Sequence, residues 1–190
     1  QYKAMSIFSI FSIALGLLLP WRSLDAYAVA FVVAAALLGG VVGSWLYITA
    51  VKVGGASIGN LSSSLYIVLL PLFALRLYMA PASALVLLGL AVASWGDRGS
   101  RRGALYGVMA AFVWTISINL YAVAVEALGP GAAMFLRGVV VHLTSAFLSR
   151  GQALCSLPRL EAGGFVDTFI GFGSYTLAIS LGDYVLATLV

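Results

Sequence analysis

Charged residues are scarce in this sequence. Lys, Arg, Asp and Glu make up 8% of its 190 residues, against about 25% in an ordinary soluble domain. With 63% hydrophobic residues and a mean hydropathy of +1.10, that scarcity excludes a soluble globular domain. Cysteine occurs once, at Cys155, which excludes an internal disulfide. Histidine also occurs once, at His142, and the six Asp and Glu residues are scattered. A catalytic metal or a carboxylate pair needs clusters that such a chain does not offer, so no enzyme, metal or cofactor is expected. There is no Gly-x-x-x-x-Gly-Lys-[Ser/Thr] stretch and no polar segment large enough for a nucleotide-binding domain, so ATP is not the expected energy source. The only lysines are Lys3 and Lys52, and neither lies deep in a last helix as a retinal protein requires. The net charge of +4 and pI of about 9.4 read as a topology signal for a membrane chain, not as a nucleic-acid footprint.

What is there is apolar sequence in long runs. Residues 4–21, 26–51, 53–75, 77–96, 103–125, 138–149 and 168–182 carry no formal charge. At ~1.5 Å rise per residue most are long enough to cross about 30 Å of hydrocarbon as helices. A barrel strand would alternate apolar and polar positions. These runs do not: Ala30–Val42 is apolar throughout. The expected fold is all-α, a polytopic transmembrane helix bundle. Seven helices are expected: Ala4–Pro20, Ala26–Ile48, Ile58–Leu77, Pro81–Trp95, Ala104–Val125, Ala132–Leu148 and Phe165–Leu181. Pro71 should kink the third. Residue 1 is Gln, and Leu186–Val190 enters a fresh apolar run, so the chain reads as an internal piece of a longer protein, truncated at both ends.

The chain also echoes itself. At a shift of 128 residues, Gly43 meets Gly171, Tyr47 meets Tyr175, Ala50 meets Ala178, Gly54 meets Gly182 and Leu61 meets Leu189. Five expected helices separate the two copies. An odd number inverts the second copy in the membrane, the inverted-topology repeat of many transporters.

Three stretches carry a family resemblance. Tyr47–Ser57 leads into Leu61–Leu65, Gly103–Leu120 contains Trp114 and Asn119, and Gly129-Pro130 precedes Phe135-Leu136-Arg137. Together they resemble the drug/metabolite transporter superfamily, specifically its EamA-type ten-helix exporters, over nearly the whole chain. The resemblance implies that the seven helices are family helices two to eight. Residues 1–99 would then form a first repeat lacking its first helix, and 100–190 a second repeat lacking its last helices. It implies a multi-pass protein of a membrane, the plasma membrane of a prokaryote, in contact with lipid and with a small-molecule substrate. The implied function is a secondary transporter that exports a small metabolite, an amino acid or a drug-like solute, coupled to protons or to an exchange substrate. A phosphorylated-sugar or nucleotide-sugar exchanger of the same superfamily is the alternative. A seven-helix receptor is a weaker one. The family pattern departs at Arg76-Leu77-Tyr78-Met79, which has no carboxylate, and at His142. Basic residues number three on one side of the expected bundle and seven on the other, opposite to the family's usual orientation.

The polar residues of the apolar runs are the candidate site. Trp114, Ser117 and Tyr121 share a helix face, with Asn119 near Thr115. They could line a substrate cavity or join helices. Asn60 could bind substrate or cap a helix. Tyr47 and Tyr175, paired by the repeat, complete the substrate candidates. His142 is a coupling candidate, because an intramembrane histidine changes charge near neutral pH, or else a neutral imidazole bonded to a neighbouring helix. Arg137 is the other coupling candidate, although its long side chain is expected to reach for the membrane interface.

Overall fold

The computed structural model describes residues 2–22, 24–74, 77–93, 100–149, 162 and 165–182, and every regular element among them is helical. Helix α1 is Tyr2–Leu18 and α2 is Ala26–Gly54. Asp25 starts α2 by accepting from the Ala28 backbone N–H, and a π-helical stretch, Ala36–Gly43, lies within it. Helix α3 is Ala56–Phe73. A short 3₁₀ turn, Leu77–Met79, leads into α4, Ala80–Ala93. The helical run Arg101–Leu148 is broken at Gly129, and its arms, 101–128 and 130–148, are α5 and α6. Helix α7 begins as a second π stretch, Phe165–Phe172, and continues as Gly173–Ser180. Cys155 and Leu186–Val190 lie outside the described residues.

Two glycines make the sharp connections. Gly55 (φ 86°, ψ 160°) joins α2 to α3, and Gly129 (φ 82°, ψ 160°) joins α5 to α6. That region of backbone space is almost closed to residues with a Cβ. Pro130, the first residue of α6, has no N–H for a helix start to leave unpaired. Pro71 does not break α3 where it stands. The break is a turn at Ser64–Leu65, where Ile67 and Val68 bond back only three residues. Proline removes one bond and pushes on the carbonyl four residues earlier, that of Ile67, so the turn at Ser64–Leu65 lies beyond its direct reach.

Side-chain contacts give the helix directions. Ser12 donates to the Met134 carbonyl (3.0 Å), while Ser6, nearer the start of α1, bonds His142, so α1 and α6 are antiparallel. Ser117 donates to the Ala35 carbonyl (2.9 Å), and Gly54 abuts Gly103, so α2 and α5 are antiparallel. The hairpin at Gly129 is clamped by the segment that follows α1: Arg22 N–H donates to Leu128 O (2.8 Å), and Gly131 N–H to Pro20 O (3.0 Å). Helix α7 runs alongside α1, with Phe165 against Phe11 and Gly173 against Leu15. Hence α7 runs opposite to α2.

Small hydroxylated residues are buried beside the apolar core, and many large apolar side chains face outward. Ser6, Ser12, Thr115, Ser145 and Thr176 are fully or almost fully buried, while Leu17, Leu85, Leu88, Leu105, Leu143 and Phe147 are exposed. Helices approach through small residues. A Cβ on Gly103 would collide with the Gly54 backbone, and one on Gly16 with the backbone of Gly131 and Phe135. This is the packing style of helices in lipid, where apolar faces need no cover and close approach provides the attraction. Among the described residues, three helical runs are long and apolar enough to cross a membrane: Ala26–Gly54, Ala56–Phe73 and the folded Arg101–Leu148.

Candidate functional site

A cavity of about 120 Å³ lies where α1, α2, α6 and α7 meet. Met5, Phe8 and Ser9 line it from α1, Gly40 and Ser44 from α2, Arg137 and Val141 from α6, and Thr168 and Phe172 from α7. Both π stretches therefore face it. A π turn widens the helix and shifts the side chains beyond it, and such turns are frequent at functional sites. The absent side chain of Gly40 leaves part of the space open, since a Cβ there would press on Val141.

Arg137 is half-buried and does not take the outward course expected of it. Its guanidinium lies 4.0 Å from the Phe172 ring centroid and 6.0 Å from that of Tyr121. The physical reason is depth and crowding. Arg137 stands eight residues into α6 from the Gly129 turn, about 12 Å at ~1.5 Å per residue. Trp21 fills the space near that turn, packed on Phe135 at 5.5 Å and donating to the Gly16 carbonyl at 2.8 Å. Aromatic faces attract the cation from the inner side.

His142 sits beside this cavity. Its Nδ1 lies 3.0 Å from Ser6 Oγ, 3.3 Å from Ser9 Oγ and 3.2 Å from the Ser6 carbonyl oxygen. Ser9 Oγ itself donates to the Ser6 carbonyl at 2.6 Å. Ser9 thus belongs both to the histidine cluster and to the cavity wall.

No protein family, no curated protein and no solved structure matches the chain.

The remaining sequence candidates fall into two groups. Trp114 is the centre of an aromatic cluster between α2, α3 and α5. Tyr47 and Tyr66 pack on it at 5.5 and 5.8 Å, and its indole N–H donates to the Gly39 carbonyl at 3.2 Å. Tyr47 donates to Asn60 Oδ1 at 2.5 Å. Asn60 lies inside α3, which starts at Ala56, so it does not cap the helix. Asn119 donates to the Thr115 carbonyl at 2.8 Å, one turn back. The second group packs near Arg137. Tyr121 donates to Thr176 Oγ1 at 3.2 Å, since that hydroxyl gives its own proton to the Phe172 carbonyl. Tyr121 and Tyr175 both stack on Phe172, at 5.4 and 5.8 Å. Of all the sequence candidates, Arg137 alone lines the cavity, while Tyr121 and Tyr175 support its Phe172 wall. Ser9, Ser44 and Thr168 were missed. Small hydroxylated residues are common in membrane helices, and only the tertiary packing brings these together.

Proposed function

We propose that this chain is part of a multi-pass secondary transporter and that the cavity around Arg137 is its solute site. The observation that carries the reading is the composition of the cavity walls. Gly40 and Thr168 are 128 residues apart, as are Ser44 and Phe172. The spacing of the sequence echo therefore recurs in the walls of one cavity. The two π stretches start at residues 36 and 165, within one residue of the same spacing. The opposed directions of α2 and α7 are those an inverted repeat requires. A solute site at the interface of two inverted halves is the arrangement that alternating access uses. The EamA-type resemblance points the same way, toward export of a small metabolite.

Coupling to protons is part of this reading. Ser9 links His142 to the cavity through one hydroxyl, so the histidine's charge can act on a bound solute. The charged residues on the helices bounding this region are Lys3, Lys52, Arg137 and Asp167.

The test is solute counterflow into proteoliposomes, using the full-length protein and a panel of labelled amino acids and small organic solutes. Saturable exchange above protein-free vesicles is expected for at least one solute. A panel that moves no faster than in empty vesicles contradicts the transporter reading.

A further inference from the structure

We infer that the groove between α3 and α4 binds an anionic phospholipid, with one acyl chain in the groove and the phosphate at Arg101. The inference goes beyond transport and needs only that these helices stand in a bilayer. The groove holds about 630 Å³. Ile58, Leu61 and Val68 of α3 and Leu87 and Leu88 of α4 wall it, and Ala104 of α5 lies at one end. Ala84 and Ala91 keep the α4 wall shallow. Among the described residues, Ser62 is the only polar one in the lining, and its hydroxyl donates to the Ile58 carbonyl at 2.6 Å. The groove therefore offers a hydrocarbon surface. Ile58 and Val68 are ten residues apart, about 15 Å at ~1.5 Å per residue. That is half of about 30 Å of hydrocarbon, the depth of one leaflet.

The end of the groove at Ala104 is basic. Arg101 stands one turn before Ala104 on the same face of α5. Gly54 abuts Gly103, which brings the end of α2, with Lys52, to the same level. Lys52, Arg101 and Arg102 are exposed, and no ion pair engages them among the described residues. Asp97 and Arg98 lie outside the described residues. Helices α3 and α5 both begin at this end, so their N-terminal dipoles add to the positive field. A basic rim over an apolar slot one leaflet deep matches a phosphate and an acyl chain joined in one molecule. A partner helix would need neither the charge nor the one-leaflet length.

The experiment uses the full-length protein in phosphatidylcholine vesicles, with a Leu88→Trp reporter in the groove. Chain-brominated phosphatidylglycerol is compared with brominated phosphatidylcholine at equal mole fraction, and quenching of the parent protein's own tryptophans is subtracted. The anionic lipid should quench the reporter as a ligand bound at least about fivefold more tightly, the worth of one basic residue at a membrane surface. Arg101→Gln should cut that preference by about the same factor. Adding Lys52→Gln should nearly abolish it. Arg22→Gln, which removes a charge beside Leu128 at the other end of α5, should leave it unchanged. If Leu88→Trp does not fold, native mass spectrometry of the unaltered protein decides. It should retain phosphatidylglycerol over phosphatidylcholine, and Arg101→Gln should lose that selectivity. Equal quenching by the two lipids would make the groove ordinary lipid-facing surface and overturn the inference. So would a reporter that neither lipid quenches while a Leu143→Trp reporter, on an exposed face of α6, is quenched, since protein would then cover the groove. A preference seen only in Asp97→Asn would overturn it as well, by showing the basic rim already neutralised.

Discussion

At the scale of single residues, buried hydroxyls and glycines join helices alongside an apolar core. Ser12 ties α1 to the Met134 carbonyl, and Ser117 ties α5 to the Ala35 carbonyl. Each such interhelical bond contributes about 0.6 kcal/mol. Ser12→Ala should therefore lower stability only slightly, read as a small downward shift in the detergent melting curve. Gly103 is a different case. Its neighbour is the Gly54 backbone, which cannot rotate away. Gly103→Leu should separate α2 from α5 and abolish the cooperative melt, whereas Leu105→Ala, on an exposed face, should leave it almost unchanged. His142 tests coupling at the same scale. Glutamine can replace its hydrogen bonds to Ser6 and Ser9 but cannot titrate. His142→Gln should keep the protein folded and flatten the pH dependence of transport between about pH 5 and 8. An unchanged profile would make His142 a structural residue. Residue types were legible in the sequence here, and residue partners were not. Trp114 was an evident oddity in an apolar run, yet the carbonyl it bonds, Gly39, is exposed to it by a π stretch with no compositional signature.

At the scale of elements, uncharged length was enough to find the helices. A run without charge must bury or face lipid along its whole length, and seven such runs became seven helices among the described residues. The exact joints were less legible. The connection between α5 and α6 collapses to one residue, because Gly129 reaches a backbone conformation that lets Pro130 begin the next helix at once. Gly129→Ala should cost about 1–3 kcal/mol of backbone strain. A Cβ there would also press on Pro20 O and Arg22, which clamp the hairpin. The expected reading is a clear loss of melting temperature, where an exposed-face substitution such as Leu143→Ala gives little. The break in α3 likewise falls at Ser64–Leu65 instead of at Pro71, where the proline signal in the sequence placed it.

At the scale of the whole molecule, the 128-residue echo and the cavity bear on each other. The echo was found in residues such as Gly43/Gly171 and Tyr47/Tyr175, and the cavity is walled by different positions at the same spacing. A sequence comparison could not have singled these out, because Gly40 and Thr168, or Ser44 and Phe172, share no chemistry. What they share is the 128-residue spacing and a place in the wall of one cavity. Arg137 is legible in the sequence as a charge in an apolar run, and its inward turn follows only from Trp21 packed on Phe135 and from the Phe172 ring that faces the guanidinium. The central claim is that solute passes through this cavity, and one measurement tests it most directly. In a Cys155→Ser background, Ser44→Cys places a thiol in the cavity wall, and Leu85→Cys places one on an exposed helix face. Each protein is reconstituted, treated with a charged methanethiosulfonate reagent and assayed for counterflow of a solute that the panel identifies. Labelling at residue 44 should block counterflow, and excess solute should slow the labelling. Labelling at residue 85 should leave counterflow intact. Full counterflow after complete modification of Ser44→Cys would contradict the account.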